Sequence, residues 1–275
     1  MNENIGLLID DNPISRSYIN ILRNRGIKLK YVVYLLNSTS LFKNFFAKKN
    51  YLEKNAFAIN FLKDNTILKL TNEFEQFFNF EAGFCKQMYN FNNLFDICEK
   101  VTFTNDANIN SPKVINLLGK IPNTIFFNTG KQILKEVLNT KHQFLHIHPG
   151  YLPDVKGADG SLWQIKNYGN LGVSSFFMES MIDEGKIIRR DKLKFSGFHF
   201  EKFKEYSTKE IYRIWFSFFD PLLRSYQFSK IIDSNFMELI AQNQKGKYYS
   251  FMKKNDLDII FNKIFTKNIT TQNNI

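Results

Sequence analysis

Cysteine, tryptophan, proline and histidine are all scarce in this chain of 275 residues: two, two, six and four of each. Two thiols, Cys85 and Cys98, make no disulfide scaffold, and they do not stand at metal-pair spacing. They read as packed or partly exposed thiols in a reducing compartment. No uninterrupted apolar run approaches the roughly 18 residues of a membrane helix, so no membrane partner is expected. Met1-Asn2-Glu3-Asn4 lacks the basic region and apolar run of a signal peptide, which leaves the cytoplasm as the expected location. No G-x-G-x-x-G follows the first apolar run, so nothing there supports a dinucleotide site. No repeat, Gly/Ser linker or low-complexity block divides the chain.

What is abundant is phenylalanine, with 30 residues, alongside heavy lysine, asparagine and isoleucine. The codon bias of an AT-rich genome accounts for most of that. The formal net charge is +11, but it is spread along the chain rather than gathered into one basic block. Nucleic acid is therefore not the expected partner, although a diffuse positive field attracts small anionic substrates. Apolar residues make up 44% of the chain, ordinary for a globular protein able to bury a full core.

Ile5 to Ile9 is an apolar run suited to a buried parallel strand. Asp10-Asp11-Asn12-Pro13 is turn chemistry, and a helix is expected from about Ile14 to Arg25, ending at Gly26. Lys30 to Leu36 reads as a second strand, and strand–helix–strand implies a parallel sheet. Leu41–Phe46, Phe74–Phe80 and Phe91–Cys98 read as amphipathic helices whose aromatics belong to a core. Val101–Thr104 reads as a strand. Ser111 and Pro112 open a helix through Leu118, and Thr124–Phe127 is the next buried strand. A short helix is expected to start over Lys135–Leu138. Further on, Lys186–Phe195 reads as a charged strand. A long aromatic helix from Ser207 or Thr208 is expected to stop near Asp220-Pro221, with a second one from Leu222 to about Ile232. Gly246–Met252 has the alternation of a short strand, and Lys267–Ile275 is polar and expected to fray.

The densest chemistry lies in Phe144–Gly157, FLHIHPGYLPDVKG. A buried strand ends there with His146 and His148, two apart and so on one face, just before Pro149-Gly150. A second landmark begins at Gly172-Val173 and carries Ile182-Asp183 ahead of Gly185. A strand-end imidazole and a loop carboxylate make an acid–base pair if they meet, since histidine titrates near neutral pH without a large shift. His146, His148 and Asp183 also make three donors of the kind an open catalytic zinc site uses. His142 and His199 have no supporting spacing.

The strand ending in Ile-His-Pro, the following Leu-Pro and Gly, and then Gly-Val…Ile-Asp-x-Gly-x-Ile resemble the folate-dependent formyltransferase family. The resemblance runs from about Ile5 to Ile188, densely from Asn108 onward. It implies a doubly wound, mostly parallel α/β sheet with a C-terminal helical and strand extension: residues 1–200 as the catalytic domain, residues 201–275 as the appendage. It implies N10-formyltetrahydrofolate as co-substrate and a primary amine as acceptor. The family's catalytic trio is Asn, His and Asp. His148 and Asp183 match the last two, and His146 stands where the Asn is expected; a ring N–H could replace the amide as donor to the oxyanion. The pterin-holding loop falls on Lys131, Gln132, Ile133 and Leu134, with Ile182 beside Asp183. The family needs no metal, so none is expected. By elimination a nucleotide-linked amino sugar is the expected acceptor, because the last 75 or so residues do not read as the β-barrel of the methionyl-tRNA enzymes. Those enzymes, or a catalytically silent protein that lost the Asn, remain the alternatives. A homodimer is compatible with the resemblance.

Overall fold

Ile5–Ile9 forms β1, buried on both sides at the middle of the molecule. The computed structural model describes residues 4–36, 43–91, 96–233, 239–243 and 246–266. After β1 the chain turns through Asp11, with φ of 48°, into α1, Pro13–Asn24. Asn12 caps that helix, its side-chain oxygen accepting from the N–H groups of Ile14 and Ser15, which are otherwise orphaned. Then follow β2 (Leu29–Tyr34), α2 (Lys43–Phe61), α3 (Asn65–Phe77), α4 (Phe84–Met88) and β3 (Cys98–Phe103). The chain crosses back through α5 (Pro112–Gly119), capped by Ser111, to β4 (Ile125–Asn128) and β5 (Gln143–His148). β6 (Val155–Gly157), α6 (Gly160–Tyr168), β7 (Asn170–Phe177) and β8 (Ile187–Lys194) complete the first part.

Seven of these strands form one sheet in the order β3-β2-β1-β4-β5-β7-β8. The first five are mutually parallel; β7 and β8 are antiparallel additions. This is the α/β, mostly parallel architecture expected. The order reverses between β1 and β4, and the crevice at the strands' C-terminal ends there is where open α/β sheets bind ligands. Alternation along each strand sends side chains to two cores. Leu7, Ile9, Val32, Tyr34, Leu145 and Ile147 join one with α1 and the C-terminal helices. Leu8, Val33, Phe126 and Phe144 join the other with α5.

The chain after Phe200 packs into the first of those cores. α7 (Thr208–Ile214) begins with a capping box of Ser207 and Glu210. A π-helical turn over Trp215–Phe219 then leads without a break into α8, Asp220–Asp233. The expected stop at Asp220-Pro221 does not occur. A π turn bonds each residue to the fifth before it, and at that widened turn Pro221, which has no N–H to donate, is accommodated. Trp215 stacks on Phe219 at 3.8 Å, and Phe219 packs with Phe74, Phe195 and Phe198 at 5.2 to 5.8 Å. α8 lies along α1, with Phe228 stacked on Tyr18 at 4.2 Å and edge-on to Phe127 at 4.8 Å. β9 (Lys247–Tyr249) pairs with β6 in a separate two-stranded ribbon, and α9 spans Lys254–Phe265.

Three further boundaries differ from expectation. Cys98 opens β3 rather than closing a helix, because its backbone pairs with Leu29 of β2. α3 ends at Phe77, and the turn expected over Lys135–Leu138 is a 3₁₀ turn at Glu136–Asn139. Residues 41–42 and 92–95 and the Lys267–Ile275 tail lie outside the described residues.

Candidate functional site

β5 runs past the end of β4, and its last residues carry the two imidazoles. His146 lies opposite Phe176 and His148 opposite Ser174 on β7. The Ser174 hydroxyl donates to the Gly150 carbonyl at 2.8 Å and accepts from the Leu152 N–H at 2.9 Å, which fixes the turn after the strand. His148 is only 3% exposed. Its Nε2 lies 2.9 Å from the Val155 carbonyl. A carbonyl only accepts, so Nε2 carries the proton and Nδ1 keeps its lone pair in the neutral ring. Gly150 and Gly160 make room for that ring: a Cβ at either would stand 2.6 or 2.9 Å from Nε2.

Asp183 reaches His148 from the loop between β7 and β8. Its Oδ2 stands 3.6 Å from His148 Nδ1, longer than a hydrogen bond, and accepts the Gly157 N–H at 2.8 Å. Gly157, with φ of 92°, comes so close to β9 that a Cβ there would lie 2.2 Å from the Tyr249 carbonyl. Asp183 is itself left-handed, with φ of 57°. Its carbonyl is held by the Gln242 side chain, which also donates to the Gly185 carbonyl, at 3.0 and 2.7 Å.

Burial lowers the pKa of His148, and the nearby Arg224 cation adds to that, while Asp183 pulls it back up. The resting ring is therefore a neutral base. Burial works to raise the carboxyl of Asp183, but His148, the Gly157 N–H, His146 and Arg224 outweigh it and hold it below its ordinary value. A proton taken by Nδ1 would face an ionised carboxylate, so the charged ring would have an acceptor at each nitrogen.

His146 is engaged on both sides. Its Nδ1 lies 3.2 Å from the Asn128 carbonyl, and its Nε2 lies 3.3 Å from Arg224 Nη1. A guanidinium only donates, so these partners assign the proton to Nδ1 and the lone pair to Nε2. Burial and the Arg224 charge push its pKa down to about 4. The ring N–H expected to meet an oxyanion is thus already given to Asn128.

Arg224 and its partner Asp220 were not singled out by the sequence reading. Arg224 Nε donates to Asp220 Oδ2 at 2.7 Å, and Nη1 also donates to the Ile147 carbonyl. Phe144 pairs its carbonyl toward β7, so by alternation the Ile147 carbonyl points toward β4, which has already ended. Arg224 takes the place of the missing strand. α8 packs on the Leu145–Ile147 face while His146 stands on the other, so the guanidinium passes the edge that β4 leaves open. One signal was available: Asp220 and Arg224 are an i,i+4 charge pair in an otherwise aromatic and apolar stretch.

The remaining candidates, and other side chains of the loop after β5, are spread around this pair. The loop from Thr129 starts beside His146. Ile133 and Ile182 are apolar yet 53% and 40% exposed. Lys131 is exposed and feels Asp159 electrostatically. The Gln132 side chain is spent on the Ala107 carbonyl and the Ile109 N–H, and Leu134 is buried in the second core. Lys156 pairs with Glu184 at 3.1 Å and Asp154 with Lys192 at 3.4 Å. Asp159 accepts from Tyr212 and from the Met252 N–H. Trp163 stacks on Tyr249 at 4.8 Å and packs against the first core. Among the described residues no group of three or more His, Cys, Asp or Glu stands at metal-binding spacing. No helix among them is long and apolar enough to cross a membrane.

The fold and this site define an α/β protein with a buried imidazole–carboxylate pair at the C-terminal end of its sheet. No family model matches the chain, and no curated protein matches it. Solved structures that resemble it include several formyltransferases. A 4-N formyltransferase from Francisella tularensis is 17% identical over 95% of this chain and 87% of its own, with a TM-score of 0.48. An N-formyltransferase from Helicobacter canadensis, solved with folinic acid and dTDP-3-aminofucose, is 18% identical over 90% of this chain and 71% of its own, with a TM-score of 0.47. A candidate sugar N-formyltransferase from Mycobacterium tuberculosis is 17% identical over 57% of this chain, with a TM-score of 0.36, and the chain spans 65% of its length.

Proposed function

We propose that this chain is a formyltransferase that moves a formyl group from N10-formyltetrahydrofolate to a primary amine borne by a nucleotide-linked sugar. The observation that carries the reading is the His148–Asp183 pair: Nε2–H given to Val155, Nδ1 bare, and a carboxylate 3.6 Å beyond it. The amine nitrogen attacks the formyl carbon, and the carbonyl π pair moves to oxygen. His148 Nδ1 takes the amine's proton, and Asp183 accepts a hydrogen bond from the imidazolium formed. The oxygen's pair then re-forms the carbonyl as the bond to N10 breaks. N10 leaves with that bonding pair and receives a proton from His148. The products are a formamide and tetrahydrofolate.

The loops fit such a co-substrate in part. Ile133 and Ile182 offer exposed apolar surface for a flat ring, and Lys131 offers a cation for its glutamate tail. Gln132 and Leu134 contribute backbone only, since their side chains are engaged elsewhere. The diffuse positive charge suits a nucleotide diphosphate. The engagement of both His146 nitrogens favours a second reading, a protein of this fold that binds these ligands without turnover.

Two measurements separate the readings. A stable folate analogue such as 5-formyltetrahydrofolate should raise the melting temperature, since a ligand of the native state stabilises it by about RT ln(1 + [L]/Kd). Labelled formyl should then appear on nucleotide-linked 3-amino or 4-amino sugars. Folate binding with no turnover on any amine selects the binding protein. No folate shift at saturation removes both readings.

A further inference from the structure

Arg224 has one half of its guanidinium committed and the other half unused. Nε is held by Asp220 and Nη1 by Ile147 and His146. Nη2 makes no hydrogen bond among the described residues, yet the residue, 9% exposed, keeps some open surface. Such a pair is costly to bury. Asp220 is 1% exposed, and its Oδ1 is buried with no partner; an apolar pair of the same volume would often be as stable or more so. The arrangement sits where β4 stops, beside the strand end that presents His148.

We propose, on the formyl-transfer reading above, that Arg224 is the catalytic residue that stabilises the oxyanion: Nη2 donates to the formyl oxygen as the amine adds. His146 is then a positioning residue. With its proton on Nδ1 and anchored to Asn128, it offers Nε2 as the acceptor that turns Nη1, and so aims Nη2. A guanidinium is permanently charged. It therefore serves the developing negative charge at any pH, whereas a neutral ring N–H titrates. The same cation adds to the effect of burial, which keeps the neighbouring His148 neutral and ready to accept a proton.

The test is Arg224→Ala, assayed with and without millimolar guanidinium or ethylguanidine, with the fold checked by circular dichroism. Removing one oxyanion donor commonly costs ~100-fold or more in kcat. We expect that loss with little change in the KM for the folate donor, and at least partial recovery on adding guanidinium but not on adding urea or methylammonium. If Arg224→Ala does not fold, Arg224→Lys carries the test. It keeps the charge but loses Nη2, and kcat should fall at least ~10-fold at similar KM. Turnover within threefold of wild type in a folded variant overturns the role. A loss that guanidinium does not restore in folded Arg224→Ala also overturns it. His146→Ala, freeing the guanidinium to swing, should lower kcat and leave its pH profile governed by His148 alone. A wild-type protein that formylates no amine removes the parent reading and this role together. An active wild type with an indifferent Arg224 removes this role alone.

Discussion

Replacing Gly150 with alanine places one methyl group against the most constrained atoms of the site. The new Cβ would stand 2.6 Å from His148 Nε2, 3.0 Å from its Cδ2 and 2.9 Å from the Val155 carbonyl. Gly160 also approaches the ring, since a Cβ built there would stand 2.9 Å from the same Nε2. The ring must therefore leave the Val155 carbonyl or the turn must open. Overpacking costs about 1–3 kcal/mol, and stranding a buried acceptor costs about 1–3 kcal/mol. Together they give about 2–6 kcal/mol, or a fall in melting temperature of about 4–24 °C for a chain of this size. Thermal denaturation measures the loss, and long-range ¹H–¹⁵N spectra of the imidazoles report whether Nε2 keeps its proton. Gly119→Ala is the control: a Cβ there meets nothing within 4 Å, and its effect should stay within about 0.5 kcal/mol. A Gly150→Ala protein that melts within 1 °C of wild type, with the His148 tautomer intact, would refute the seating described.

Stability should fall on acidification from pH 7. His146, lowered to about 4, and His148, also lowered, bind protons in the unfolded chain before the folded one; their contribution is present above the unfolded value of ~6.5 and lost as pH falls toward 4. His146→Asn should flatten that slope by about 3 kcal/mol at most, read from urea titrations at several pH values; an unchanged slope would place the proton uptake elsewhere. Asp183, also held low, keeps its contribution above the ordinary carboxylate range and loses it only in stronger acid. Trp215→Ala, at a fully buried position stacked on Phe219, should cost about 3–5 kcal/mol, and a cost under 1 kcal/mol would mean the π-turn core relaxes around the gap. Cys85 should resist alkylation in the native protein, because burial and then Glu75 push its thiol upward, while the partly exposed Cys98 reacts first; mass spectrometry of a brief iodoacetamide pulse decides.

The α/β class was legible because apolar runs alternate with helical periods at Ile5–Ile9, Lys30–Leu36 and Thr124–Phe127, a local signal. His148 and Asp183 were legible as a pair only through the flanking turn residues. Nothing in their spacing says that Asp183 turns back to meet the ring through a left-handed backbone and the Gly157 N–H. Arg224 was not legible. It reaches His146 across 78 positions, and a lone charge pair in an aromatic helix looks like any other i,i+4 pair until the strand end it fills is seen. The π turn escaped for a related reason: proline reads as a stop unless tertiary packing widens the turn before it. The ribbon of β6 and β9 joins Gly157 to Tyr249 and so helps hold Asp183, and three-residue strands leave almost no periodic trace.

The most direct test of the account follows labelled formyl from N10-formyltetrahydrofolate onto a panel of nucleotide-linked amino sugars, with wild type and His148→Ala side by side. The account predicts a labelled sugar formamide from wild type and a loss of at least ~100-fold in His148→Ala, with the variant still folded and still stabilised by 5-formyltetrahydrofolate. Wild-type rates from the folded His148→Ala protein would contradict it.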